Sequence, residues 1–402
     1  MPPSRILQVD ADAFYVQVAR LIDPDGAGRA EFLLVGGAPK GRGVVTSAAY
    51  AARTCGVRSG MPMARALRLC PAATVVGVPR KACSERSRAI VRVLERFTPV
   101  VEPASIDEMY LDLSGTETLY HHEPLERTAR RIREEVLREA EIAVSIGGGT
   151  NRLVAKLAAG RAKPHRTPEA GGVVIVPPAG EGEFLATFDL GDIPGVGPRF
   201  VERLARYRLV TVRDALAQDR RTLEDWLGHR AGGWLFDRIR GIDATPIVGR
   251  AAAKSISRDE TFPEDIDDDE RLRRELLRLS DRAAGDLRHH GYTARTVSVR
   301  IRDRDFRDRR ASRTLSAPVT TDRVIFEVAC ALFAKLRAAR RVPARLLSVS
   351  LSQIGAAETD DQLGLFEGAG APPLESERDL RLARAVDAAR GKFGPGAVQR
   401  GG

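Results

Sequence analysis

Asp107 and Glu108 stand side by side directly before Met109, Tyr110, Leu111, Asp112 and Leu113, a stretch that alternates like a half-buried strand. This pair limits the fold more than any other feature. Adjacent anions repel, and burying either one unpaired costs on the order of several kcal/mol. Either the pair is a solvated turn, the ordinary fate of charged residues, or the fold brings a cation to it. The start of the chain supplies a neighbour for the second outcome. Ile6, Leu7, Gln8 and Val9 read as a buried strand that ends on Asp10, followed by Asp12 and the aromatic pair Phe14 and Tyr15.

The 402 residues, 43% of them hydrophobic, suffice for two to four domains, each with its own core. There is no run of about 18 apolar residues, and residues 1–15 lack the apolar centre of a signal peptide. The expectation is a soluble protein that stays inside the cell. Cys55, Cys70, Cys83 and Cys330 lack Cys-x-x-Cys spacing, which argues against a disulfide framework or a zinc site and makes them core fillers. The net charge of +10 points to a polyanionic partner. Residues 295–345 alone hold fourteen Lys and Arg against five Asp and Glu. These charges follow strand-like alternation rather than one face of a helix, so nucleic acid is favoured over a membrane surface.

Apolar spacing predicts helices over about 84–97 and 125–139, each running into a strand, and the interleaving suggests a split βαβ sheet with helices on one face. Residues 191–204, "GDIPGVGPRFVERL", describe a tight turn before a helix. The turn either simply joins two helices or presents the backbone N–H groups of Gly195 and Gly197 to an anion. Residues 241–256 have the composition of a linker. Helices follow at about 271–289 and 322–341, each leading into a strand. In those strands Val297, Val299 and Ile301 alternate with Ser298, Arg300 and Arg302, and Leu347, Val349 and Leu351 alternate with serines. Such a sheet has an oily face for helices and a basic face for phosphates, with Arg300 and Arg302 as the candidate contacts. Beyond residue 353 periodicity is lost and mostly disordered chain is expected. Gln362, Leu363, Gly364, Leu365 and Phe366 form an apolar cluster in it, either a chance grouping or a short docking motif. Residues 378–394, "RDLRLARAVDAARGKFG", have the spacing of a short amphipathic helix.

Four stretches in order, "VDADAFY" (9–15), "SIDEMYLDLS" (105–114), "NRLVAKLAAGRAKP" (151–164) and "IPGVGP" (193–198), resemble the Y-family translesion DNA polymerases of the DinB, or polymerase IV, type. The resemblance covers residues 1 to about 353, and QLGLF at 362–366 looks like the sliding-clamp motif in tails of that family. It implies an α+β multidomain right hand. A ferredoxin-like palm would occupy 1–14 and 80–168, small fingers 15–79, and a helical thumb with a helix-hairpin-helix 169–240. A linker at 241–253, an α/β little finger at 254–353 and a tail at 354–402 would follow.

By the same resemblance Asp10, Asp107 and Glu108, with the main-chain carbonyl of Ala11, would hold two Mg²⁺ ions. Tyr50, Arg53 and Lys163 would meet the dNTP triphosphate. Tyr15 would be the steric gate that excludes a 2′-hydroxyl, and without the family context it reads equally as a core tyrosine. Gln362, Leu363, Leu365 and Phe366 would bind the clamp. The implied function is template-directed synthesis past damaged template, error-prone, distributive and without proofreading. The protein would be a monomer in the cytoplasm near the nucleoid, acting on primer-template DNA. The sequence departs from the family pattern at Ala19, Ala49, Gly148, Gly149 and Gly160, and the added glycines are expected to loosen a strand and the turn after it. A noncatalytic DNA- and clamp-binding accessory protein remains open at this point, as does a palm-domain nucleotide cyclase that would leave the turn and the basic sheet unused.

Overall fold

The computed structural model describes residues 4–165, 169, 171–249, 253–356, 374–394 and 396–398. The chain divides into two compact units, Met1–Ala251 and Ala252–Gly402.

The first unit is built on a five-stranded sheet in the order Val101–Pro103, Glu108–Asp112, Ile6–Ala11, Val144–Gly149, Val173–Ile175. The central pairings are antiparallel, and the last strand runs parallel to its neighbour. Alternation along Ile6–Ala11 sends Leu7, Val9 and Ala11 into a core with Ile90, Leu94, Ile132 and Val136 of helices Arg80–Leu94 and Leu125–Ala140. Ile6 faces the other way, onto Ala155 of helix Arg152–Ala162. That helix lies unusually close to the sheet. A Cβ on Gly147 would stand 1.9 Å from the Ala159 nitrogen, so only glycine fits there. The expected loosening at Gly148 and Gly149 does not occur, because both are buried and paired in register with Leu7 and Ile6. Ile175 and Leu7 of the neighbouring strands occupy the space a side chain on Gly148 would take, and Val154 of helix Arg152–Ala162 the space at Gly149.

Between the first strand and the rest of this sheet the chain makes helix Phe14–Ile22 and a small three-stranded sheet with short helices Tyr50–Thr54 and Met63–Leu69. Residues 181–238 form five short helices around Leu185, Phe188, Leu204, Leu223 and Leu235. Gly195, at φ +100°, makes the turn before helix Pro198–Ala205, and a Cβ there would meet the Trp234 ring at 2.8 Å.

The second unit is a four-stranded antiparallel sheet, ordered Asp308–Val319, Tyr292–Asp303, Ala344–Ala356, Ser255–Ile266, with helices Asp269–His289 and Asp322–Ala339 on its oily face. Val297, Val299, Ile301, Leu347, Val349 and Leu351 are fully buried beneath those helices. The expectation of a mostly disordered tail from 354 needs correction. The last strand runs to Ala356, and Glu377–Phe393 is a 17-residue helix, started by a Ser376–Asp379 capping box. The helix is tied to the sheet's helical layer by ion pairs. Gln362, Leu363, Leu365 and Phe366 lie outside the described residues.

Candidate active site

The register of the first sheet places Asp10 directly opposite Glu108, while the Ala11 N–H donates to the Asp107 carbonyl at 2.9 Å. Three acids from two strands thus converge. Ser105 forms the turn that holds the pair, because its hydroxyl accepts from the N–H groups of Asp107 (3.2 Å) and Glu108 (3.0 Å) and donates to Asp107 Oδ1 at 2.5 Å. Cations also arrive, on the helix that crosses the sheet. Lys156 Nζ lies 2.6 Å from Glu108 Oε2, and Lys163 Nζ lies 2.5 Å from Asp10 Oδ1. Burial pushes the Asp10 carboxyl up to about 6; Lys163 opposes the rise, and Glu108 and Asp107 add to it.

Asp12 lies beneath the acids. The chain leaves the strand through Ala13, a non-glycine residue at φ 45°, and this left-handed turn carries Asp12 into the interior. Its carboxylate accepts from Ser145 Oγ at 2.9 Å and, at 3.4 Å each, from Tyr50 Oη and Lys163 Nζ. Burial, followed by Asp12, raises the Tyr50 hydroxyl above its ordinary pKa, so Tyr50 stays protonated and can donate. Arg53 is anchored by Nε donation to the Ala48 carbonyl at 3.0 Å, with its guanidinium 4.9 Å from the Tyr50 ring centre. Tyr15 is half-buried, edge-on to Phe14 at 5.6 Å. Burial raises its hydroxyl pKa and the charge of Asp107 adds to the rise.

A cavity of about 330 Å³ opens beside these groups, lined among others by Asp10, Glu108, Arg53, Lys156 and Lys163. Gly160 faces open space, with nothing within 4 Å of where its Cβ would be. The donor set of carboxylate and carbonyl oxygens suits a hard divalent cation. In this arrangement ammonium groups neutralise two of the acids. Among the described residues no group of three potential ligands is gathered tightly enough to hold an ion.

Sequence reasoning named Asp10, Asp107, Glu108, Ala11, Tyr50, Arg53 and Lys163, and the structure brings all seven together, with Tyr15 beside Asp107. It missed Asp12, Lys156 and Ser145. Asp12 was signalled by its two-residue spacing from Asp10, and Lys156 by lying seven residues, about two helical turns, before Lys163 at the end of helix Arg152–Ala162. The remaining candidates lie elsewhere. In the turn bearing Gly195 and Gly197 the Val196 N–H is taken by the Ile193 carbonyl, while Gly197 caps helix Pro198–Ala205. Arg300 and Arg302 sit on the polar face of the second unit's sheet and are ion-paired. Arg302 grips Asp308 through two bonds of 2.7 and 2.8 Å, and Arg300 meets Asp259 at 3.0 Å.

Residues 9–160 match the impB/mucB/samB family, and residues 253–365 match the impB/mucB/samB family C-terminal domain. A DNA polymerase IV of Caulobacter vibrioides is 36% identical over 397 residues, spanning 98% of this chain and 93% of that protein. One of Desulfatibacillum aliphaticivorans is 35% identical over 399 residues, spanning 99% and 96%. Among solved structures, a Y-family DNA polymerase chimera of Dbh and Dpo4 is similar with a TM-score of 0.77 and 25% identity, covering 87% of this chain and 99% of that one. The DinB structure from Sulfolobus solfataricus gives a TM-score of 0.58 at 24% identity, covering 87% and 98%.

Proposed function

This chain belongs to the impB/mucB/samB family, the Y-family DNA polymerases of the polymerase IV type, and from that premise we propose how its own residues carry out the reaction. It is a DNA-directed DNA polymerase of translesion synthesis, with the α+β multidomain fold of that family. The observation that carries the site assignment is the register pairing of Asp10 with Glu108 beside a cavity rimmed by cations.

Asp10, Asp107 and Glu108, with the Ala11 carbonyl, are the residues that would hold divalent metal, Mg²⁺ by the hardness of the donors. Two such ions, when bound, lower the pKa of the primer 3′-hydroxyl and neutralise charge on the triphosphate. The protein's own part is positioning. Arg53 and Lys163 offer fixed cations, and Tyr50 a hydroxyl kept protonated, to the phosphate oxygens of the dNTP. Asp12 holds Tyr50 and Lys163 in place. Lys156 and Lys163 neutralise Glu108 and Asp10 and would give these carboxylates up to divalent ions where such ions bind. Tyr15, beside Asp107, closes the space a ribonucleotide's 2′-hydroxyl needs. The polymerase reading assigns palm to 1–14 and 80–168, fingers to 15–79, thumb to 169–240, linker to 241–253 and little finger to 254–353.

The DNA is met by the backbone at Gly195 and Gly197 and by the polar sheet face carrying Arg300 and Arg302. The sliding clamp is met by Gln362, Leu363, Leu365 and Phe366. Synthesis is error-prone and distributive, without proofreading, by a monomer in the cytoplasm at the nucleoid. Among the described residues no helix is long and apolar enough to cross a membrane.

Primer extension with Mg²⁺ and dNTPs tests the core of this reading. Native protein is expected to extend, and Asp107→Asn and Glu108→Gln to abolish extension while primer-template binding persists. Full activity in either variant would refute the metal assignment. Deleting residues 362–366 is expected to remove stimulation by the clamp and spare basal synthesis.

A further inference from the structure

We propose that the second unit carries a binding site for a nucleoside polyphosphate, in the cleft between helix Asp269–His289 and helix Glu377–Phe393, with Arg282 and Arg384 as its phosphate contacts. The site lies wholly within the second unit and does not depend on the reading of the catalytic cavity.

A cavity of about 870 Å³ lies between the two helices. It is larger than the cavity of about 330 Å³ beside Asp10 and has the size of a small-molecule site. Each helix turns one stripe toward it at helical spacing: Arg282, Gly285, Asp286 and His289 from the first, and Leu380, Arg384, Asp387 and Gly391 from the second. Gly285 and Gly391 keep the cleft open, since nothing lies within 4 Å of where a Cβ on either would stand.

The charges on its walls do not balance. Three carboxylates line the cleft and each is already matched, Asp281 by Arg390, Asp286 by Arg258 and Asp387 by Arg288. Arg282 and Arg384 remain, both exposed and without an ion pair among the described residues. Five arginines against three aspartates give the walls a surplus of two positive charges. A planar guanidinium fits phosphate oxygens through two N–H groups at once, so two unengaged ones suit a ligand with several phosphate charges. The rest of the lining has another character. Tyr292, whose ring lies 6.0 Å from that of His290 and 5° from parallel to it, and Leu380 offer aromatic and apolar surface, which a bare phosphate does not use and a nucleobase does.

This cleft is on the helical side of the sheet. Arg258 of strand Ser255–Ile266 reaches it, whereas the flanking Ser257 and Asp259 line a hollow on the polar face. DNA held on the polar face therefore does not fill it.

Equilibrium dialysis of labelled ATP against the full chain tests the proposal, in EDTA to withhold divalent ions from the catalytic acids. One saturable site is expected. Because Arg282 and Arg384 pair with nothing in the fold, Arg282→Gln/Arg384→Gln is expected to keep the native unfolding transition. It should weaken ATP binding about a hundredfold, about tenfold for each charged group lost. Arg53→Ala, in the catalytic cavity, is expected to bind ATP as the native protein does. Bound ATP is expected to slow tryptic cleavage within 378–390, because it bridges that helix to its neighbour. Tripolyphosphate is expected to compete less well than ATP. Absence of saturable binding, or binding that the double variant retains, would overturn the proposal. Binding lost in Arg53→Ala but kept in the double variant would overturn it too, by placing the nucleotide in the catalytic cavity. Tripolyphosphate competing as strongly as ATP would overturn the nucleoside assignment, since Tyr292 and Leu380 would then contribute nothing.

Discussion

Asp12 shows how much a single residue decides here. It is buried, yet its partners are Ser145, Tyr50 and Lys163, each a group that either faces the cavity or supports one that does. Removing the carboxylate leaves the buried Ser145 hydroxyl to find another acceptor, at a cost of about 1–3 kcal/mol, and frees Tyr50 and Lys163, the groups proposed to meet phosphate. Asp12→Ala is therefore expected to lower the unfolding free energy by about that amount and to raise KM for dNTP. Asp12→Asn, which keeps an acceptor, should lose less of both. Denaturant titration and steady-state kinetics on the same samples check the pairing; a stability loss without a KM effect would make Asp12 purely structural. The acids at 10, 107 and 108 were legible in sequence because each lies at a strand end in a recognisable motif. For Asp12 only its spacing from Asp10 was legible; its burial was not, because it depends on the left-handed turn at Ala13, and nothing in residue type announces a left-handed alanine.

At the scale of elements, glycine has opposite meanings at two neighbouring places. Gly147 lets helix Arg152–Ala162 lie against the sheet, and Gly147→Ala drives a methyl into the Ala159 backbone. The expected cost is about 3 kcal/mol, with loss of activity because the helix carries Lys156. Gly160 sits within that helix with open space around it, so Gly160→Ala is expected to stabilise by about 0.5–1 kcal/mol. Thermal or denaturant unfolding of the two variants reads both signs.

The helix Glu377–Phe393 shows the limit of periodicity. Only Ala383 of it is buried, and its attachments are polar: Arg288 to Asp387 at 2.6 and 2.8 Å, Arg390 to Asp281 at 2.9 Å, Arg323 to Asp379 at 3.0 Å. Partners 56 to 109 residues upstream leave no local hydrophobic signature, so its sequence showed a helix but no place for it to dock. The Ser376 hydroxyl, and then Arg323, hold the Asp379 carboxyl down at about 2, below its unfolded value near 3.9. Its contribution is present above pH ~4 and lost as pH falls toward 2. Limited trypsinolysis is expected to cut within 378–390 faster at high salt and in Asp387→Asn/Arg390→Gln, with the rest of the little finger intact. Equal rates at low and high salt would mean that the ion pairs do not hold the helix.

At the scale of the whole molecule, the fourteen Lys and Arg against five Asp and Glu in 295–345 overstate how much positive charge faces outward. Of the arginines in 295–345, Arg309 is bound to buried Asp303 and Arg337 to Asp267 and Asp269, so they hold the domain together rather than meet a ligand. Composition counts charges and cannot see which are already paired. On the proposed reading of the sheet's polar face, the charge available to DNA is what remains on that side of the sheet. There Arg310, which has no ion-pair partner among the described residues, stands opposite Arg300 across a hollow lined by Ser257, Ser298, Ser348 and Ser350. Asp308 draws charge from this face by holding Arg302 and touching Arg300 at 3.6 Å. Removing the anion at 308 releases cations without adding any side-chain bulk. Asp308→Asn is therefore expected to bind primer-template more tightly at low salt, with the slope of log affinity against log salt steeper by about one; Arg310→Ala should shift both the other way, by about one phosphate contact. Fluorescence anisotropy across a salt series measures the slopes. If neither substitution changes its slope, the phosphates lie on another surface, and the serine-lined face contributes to folding rather than to DNA.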